Sequence, residues 1–177
     1  MSAYDLNNGD TIFVAAGEYT SDGNITTSDS GFDDDEGFVI QGMGFDSTLF
    51  RYTGGSSGRF MAIKSGSDSI QFNDLAFEGY RSSYGGVFSI YGKGIEINNC
   101  LFRLNTSSGN GGSVLEIESG GSVKIVNSLF TGNVGVNGSI YNYSSSSNLE
   151  IINCTFAKND NTGSDIHIKN GVATIKN

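Results

Sequence analysis

"NNCLFRLNTSSGNGGSVLEI" (98–117) is echoed by "VNSLFTGNVGVNGSIYNY" (126–143) and again by "INCTFAKNDNTGSDIHI" (152–168). Aligned on phenylalanine, the copies centre on Phe102, Phe130 and Phe156, with an earlier one at Phe77, so the spacings are 25, 28 and 26 residues. Upstream of each Phe stand alternating apolar pairs: Ile70/Phe72, Ile95/Ile97, Val123/Ile125 and Leu149/Ile151, with Ala173/Ile175 opening a further copy. Alternation with period two is the mark of a strand with one buried face. Asp74, Asn99, Asn127, Asn153 and Asn177 stand two positions after these pairs. A small-residue turn then leads to a second apolar strand, most fully written at Gly111-Gly112-Ser113-Val114.

A unit of about 26 residues with short strands and no helical period cannot bury its own apolar face, whereas coiled copies can stack. The pattern predicts an all-β single-stranded parallel β-helix of roughly six to seven rungs, in which equivalent residues form columns about 4.8 Å apart. Phe77, Phe102, Phe130 and Phe156 become a core column. The column from Asp74 through Asn99, Asn127 and Asn153 to Asn177 becomes a bend column, because Asn and Asp tolerate left-handed backbone and their side chains bond to neighbours above and below. We read residues 1–177 as one domain, with 1–60 as an N-terminal cap and irregular first rungs carrying an acidic loop. Residues 61–177 form the regular rungs, the last incomplete.

Composition sets further bounds. The chain has 177 residues, 26 Gly, no Pro, 12 Phe and 8 Tyr, and a net charge of -9. That aromatic content argues against disorder. Residues 1–50 hold ten acids and no Lys or Arg, so a polyanion is repelled there, and no basic patch elsewhere invites nucleic acid. No apolar run is long enough to span a membrane, and "MSAYDLNNGD" has neither the basic start nor the apolar run of an export signal. Cys100 and Cys154 share a column with Ser128 between them, two rungs or about 9.6 Å apart, beyond the reach of a disulfide. They are expected to be small buried fillers.

The alternating signatures Phe-x-x-Asn (Phe102/Asn105, Phe130/Asn133, Phe156/Asn159) and Gly-Gly-small-Ile/Val resemble those of the polymorphic outer-membrane proteins of chlamydiae and similar adhesin-like repeats. "GDTIFVAAGEYT" (9–20) and "FVIQGMGFDSTLF" (38–50) resemble first rungs of the wider right-handed, pectin-lyase-like β-helix superfamily. The resemblance implies a right-handed coil and a non-catalytic, extracellular or cell-surface role as part of an adhesin-like or fibre-forming protein. The alternative it leaves is a carbohydrate-active enzyme or a glycan-binding β-helix. An ice- or mineral-binding face is remote, since regular Thr columns are missing.

Candidate chemistry is sparse. The outward column Gln71, Glu96, Lys124, Glu150, Thr174 puts a Lys between two Glu, which favours both ionised forms and reads as a charge ladder, not a catalytic pair. Asp33, Asp34, Asp35 and Glu36 are the weak calcium candidates, but four consecutive residues cannot all face one ion and the alternating spacing of a calcium loop is absent. No catalytic residues and no cofactor are assigned. Arg51, Arg59, Arg81 and Arg103 fall on different rungs with no column of acids expected beside them. Phe88, Leu115, Tyr141 and His167, aligned as one column beside Val87, Val114, Ile140 and Ile166, are the candidate partner face, since one of two adjacent columns must point outward. The expected partners are a cell-surface protein or glycan, and neighbouring rungs, either of a longer chain or of a second copy stacked head to tail.

Overall fold

The computed structural model describes residues 9–27 and 37–177, and among these there are 23 strands and no helix. They coil into a parallel β-solenoid of about six turns. Sheet A stacks seven strands: Thr11–Phe13, Val39–Gln41, Gln71–Asn73, Ile95–Asn98, Ser122–Val126, Asn148–Ile152 and Val172–Lys176. Sheet B stacks six, from Gly17–Ser21 and Thr48–Tyr52 through Ala76–Glu78, Leu101–Arg103 and Leu129–Thr131 to Thr155–Ala157. Sheet C also has six: Ile25–Thr26, Met61–Ile63, Phe88–Ile90, Leu115–Ile117, Ile140–Asn142 and Ile166–Ile168. The two-residue strands Arg81–Ser82, Thr106–Ser107, Val134–Gly135 and Asp160–Asn161 make a narrow sheet D between B and C.

Register turns the repeat into columns. In sheet A, Ile97 lies between Phe72 and Ile125, and the column runs on to Ile151 and Ile175. In sheet B, Phe77, Phe102, Phe130 and Phe156 stack with ring centroids 5.4, 4.9 and 4.5 Å apart. Phe50 and Tyr19 extend the stack downward at 5.8 and 5.5 Å. Each such pair adds about 0.5–1.5 kcal/mol to the gain from burying the rings themselves. The calcium candidates Asp33, Asp34, Asp35 and Glu36 lie outside the described residues.

The bend between sheets A and B is made by Asp74, Asn99, Asn127 and Asn153, all left-handed at φ 59°, 52°, 52° and 50°. Asn127 and Asn153 are exposed, however, so this column is not the buried amide ladder. Asn177, the last residue, is exposed as well. The ladder is formed instead by the Asn of Phe-x-x-Asn, where the chain leaves sheet B. Asn105 and Asn133 are fully buried. Asn133 Oδ1 accepts from the backbone N–H and the Nδ2 of Asn105 at 3.0 and 3.1 Å, while Asn133 Nδ2 donates to Phe102 O at 3.0 Å and to Asn159 Oδ1 at 3.1 Å. At this corner the backbone turns out of the sheet, and the stacked carboxamides supply the hydrogen bonds that the sheet no longer provides. Tyr80 starts the ladder by donating its N–H to Asn105 Oδ1 at 3.0 Å, and Asp165 ends it by accepting from Asn159 Nδ2 at 2.9 Å.

Outside sheet B, Glu78 lies in register between Arg51 and Arg103. It pairs with both, and Arg51 also reaches Glu18 at 2.8 Å. Arg51 and Arg103 thus share one acid, Glu78, within their own column, and no column of acids stands beside the arginines among the described residues. The strand Val172–Lys176 is an edge of sheet A and exposes Val172 and Ile175.

Cys100 and Cys154 are free and buried. Burial pushes the Cys100 thiol up to about 12, and it raises that of Cys154 as well. A thiolate is the reactive form. Native protein should therefore leave both thiols unmodified by a disulfide-exchange reagent at neutral pH, and denaturant should release two equivalents. One or more equivalents titrating at once in native protein would contradict this packing.

Candidate ligand cleft on the outer face of sheet C

Sheet C has its own register, which corrects the candidate partner face. Phe88, Leu115, Ile140 and Ile166 form one column, and Phe88 and Leu115 are wholly buried in the core. Tyr141 and His167 belong to the next column, which points outward and reads Ala62, Ser89, Glu116, Tyr141, His167. The slip of one residue arises because Ser113 bonds Gly138 and Val114 bonds Ser139, one step away from a direct match of the Gly-Ser pairs; Ser139 O accepts from the N–H groups of both Val114 and Leu115, which brings Leu115 opposite Ile140.

Two residues further along each strand, a second outward row contains Tyr91, Glu118, Tyr143 and Lys169. The two rows enclose a cleft of about 440 Å³ lined by Tyr84, Asn110, Glu116, Glu118, Tyr141, Tyr143 and Lys169. Strand alternation places Glu116 and Glu118 on the same side, flanking the inward Ile117. Tyr84 and Asn110 reach the cleft from the loops that precede sheet C.

Glu116 is the unusual group. It is only 3 % exposed, and its Oε2 has no hydrogen-bond partner. Its carboxyl is tucked against the loop at Gly111, where an added Cβ would stand 2.6 Å from Oε2 and 2.6 Å from the Tyr84 Cα. Burial first, and then the charge of Glu118, push the Glu116 carboxyl up to about 7, with Arg59 pulling the other way. Glu118 is raised by burial too, against a hydrogen bond from Tyr91 and the charge of Arg59. Arg59 acts at a distance. Its Nη2 donates to Ser82 Oγ at 3.1 Å, and burial lowers its own value.

The aromatic wall is continuous. Tyr141 packs edge-on against Tyr143 at 5.8 Å and against His167 at 5.1 Å. Lys169 Nζ stands 4.4 Å from the centre of the Tyr143 ring, a cation–π contact at the rim of the cleft. An unsatisfied buried carboxyl in a cleft walled by tyrosines, with the Tyr143 ring exposed at the rim, is a constellation that suits a polar ring or a cation.

A second groove of about 460 Å³ runs along the outer face of sheet A and contains Glu96, Lys124, Glu150, Thr174 and Lys176. Lys124 lies in register between Glu96 and Glu150, as the spacing predicts. Glu150 bonds Lys176 Nζ at 2.7 Å, which lowers its carboxyl. The groove's acids alternate with Lys124 and Lys176 and none of its oxygens is buried without a partner among the described residues, so the sheet C cleft is the better site. Among the described residues no group of three or more His, Cys, Asp or Glu is placed to hold a metal ion. A scan against protein-family models finds no match for this chain, and a search of curated proteins finds no significant relative.

Proposed function

We propose that this solenoid is a non-catalytic binding module of an adhesin-like surface protein, and that it holds a glycan in the cleft on sheet C. The right-handed coil and the kinship with polymorphic outer-membrane protein repeats and pectin-lyase-like β-helices belong to the same proposal. One observation carries the binding role: a buried carboxyl with an unpartnered oxygen, Glu116, in a cleft whose rim presents the exposed rings of Tyr84 and Tyr143 and whose wall is the buried Tyr141. Sugars suit such a wall, since their hydroxyls meet the acceptors while their C–H faces lie on the rings. The stacked rungs hold the cleft without loop rearrangement, so binding incurs little ordering entropy.

The test is retention of purified protein on a panel of immobilised neutral, amino and acidic glycans, with the doubly substituted Tyr141→Ala/Tyr143→Ala protein beside it. Selective retention by part of the panel, lost in the double variant, is the expected outcome. Release of new reducing or unsaturated ends from any glycan, abolished by Glu116→Gln, would replace the binding role by an enzymatic one.

A further inference from the structure

We propose that the cleft recognises an ammonium group carried on a saccharide, an amino sugar, with Glu116 as its anionic anchor and the faces of Tyr141 and Tyr143 as its wall. This rests on the glycan-binding reading and narrows it to one chemical class.

Three observations converge on a cation. Glu116 lines the cleft, and its Oε2, buried against the loop at Gly111, lacks a partner. The nearest cations leave it uncompensated: Arg59 is held by Ser82, and no ion pair joins Glu116 or Glu118 to any basic group among the described residues. The chain also places an ammonium of its own here, Lys169 Nζ, against the Tyr143 face at 4.4 Å. Lys169 is exposed at the rim, and it shows that this wall accepts a cation.

The choice among sugars follows from charge. A uronic or sialic carboxylate would be brought against Glu116 and Glu118 and repelled. A neutral sugar would offer Glu116 a hydroxyl but no opposite charge, whereas an ammonium supplies both the hydrogen bond and the charge. The ammonium adds attraction to the ring faces, and its charge opposes the burial and the Glu118 charge that raise the Glu116 carboxyl. The space, about 440 Å³, is generous for a bare alkylammonium chain and matches a ring with its neighbours.

Calorimetric titration with the glucosamine hexamer, its fully N-acetylated counterpart, a galacturonate oligomer and a lysine-rich peptide tests this. The glucosamine hexamer should bind at least tenfold more tightly than each of the other three. Glu116→Gln should weaken it at least tenfold, and Tyr143→Ala, at an exposed position, should weaken it severalfold without affecting the fold. Lys169→Ala should strengthen it severalfold, since the internal competitor is gone; a neutral-sugar site would lose a donor and weaken. Equal binding of the N-acetylated hexamer, preference for the galacturonate, or weakening by Lys169→Ala would overturn the amino-sugar assignment while leaving a glycan-binding module. Tighter binding of the peptide would overturn the saccharide class. Absence of binding by every glycan would overturn both this inference and the function on which it rests.

Discussion

Asn133→Leu should destabilise the solenoid by about 2–6 kcal/mol, because two buried backbone groups, Asn105 N–H and Phe102 C=O, lose their partner at about 1–3 kcal/mol each. The carboxamides of Asn105 and Asn159 lose a neighbour as well. For a chain of this size the thermal midpoint falls by about 2–4 °C per kcal/mol, so a drop on the order of ten degrees is expected. The informative comparison is Asn127→Leu, one bend earlier in the same rung. Asn127 is exposed, and its contribution is to hold φ at 52°, a conformation that costs a branched side chain about 1–2 kcal/mol. Thermal unfolding of both variants should therefore rank Asn133→Leu well below Asn127→Leu. The reverse order would mean that the corner of sheet B is not where the chain stores its amide hydrogen bonds.

Stability should also fall as pH rises from about 4.5 to about 7, and Glu116 should be a main cause. The folded state holds this carboxyl near 7, whereas in the unfolded chain it returns to its ordinary value near 4.5. Below that range both states are protonated and the group has no effect. Between the two values the unfolded state ionises first and is favoured; above 7 the loss levels off at a magnitude on the order of 3 kcal/mol. Glu118, raised by burial, acts in the same direction. Denaturant midpoints at pH 5 and pH 8 should differ more for the wild-type protein than for Glu116→Gln, which has no charge to bury. Identical pH dependence in the two proteins would show that Glu116 is solvated.

The core was legible because it repeats by letter. Phe77, Phe102, Phe130 and Phe156 are demanded by the same cavity in each turn, and Asn99, Asn127 and Asn153 by the same backbone angle. Phe50 and Tyr19 belong to that stack too, but Phe50, at an ordinary spacing of 27, has Thr53 and not Asn three residues on, and Tyr19 is a tyrosine 31 residues before Phe50, so neither carries the Phe-x-x-Asn letters. The amide ladder was misplaced by one bend, because two Asn columns recur at the same period and only burial separates them. The cleft had no repeated letter at all. An outward position is not packed into the shared core, so Ser89, Glu116, Tyr141 and His167 differ from turn to turn even where loops cover them. The approach to sheet C also changes length, ten residues from Asn105 to Leu115 but seven from Asn133 to Ile140 and from Asn159 to Ile166. Aligning the alternating pairs Phe88/Ile90, Leu115/Ile117 and Ile166/Ile168 would have recovered the register and exposed Glu116 as an acid held between two core residues.

An uncompensated carboxyl waiting for a cation can be observed directly by following the Glu116 side-chain carbon by nuclear magnetic resonance against pH, with and without saturating glucosamine hexamer. The free protein should show Glu116 titrating near 7, and the saturated protein should show it moved down toward the ordinary carboxylate range. A Glu116 that titrates near 4.5 in the free protein, or one whose titration is untouched by the sugar, would contradict the assignment of this cleft.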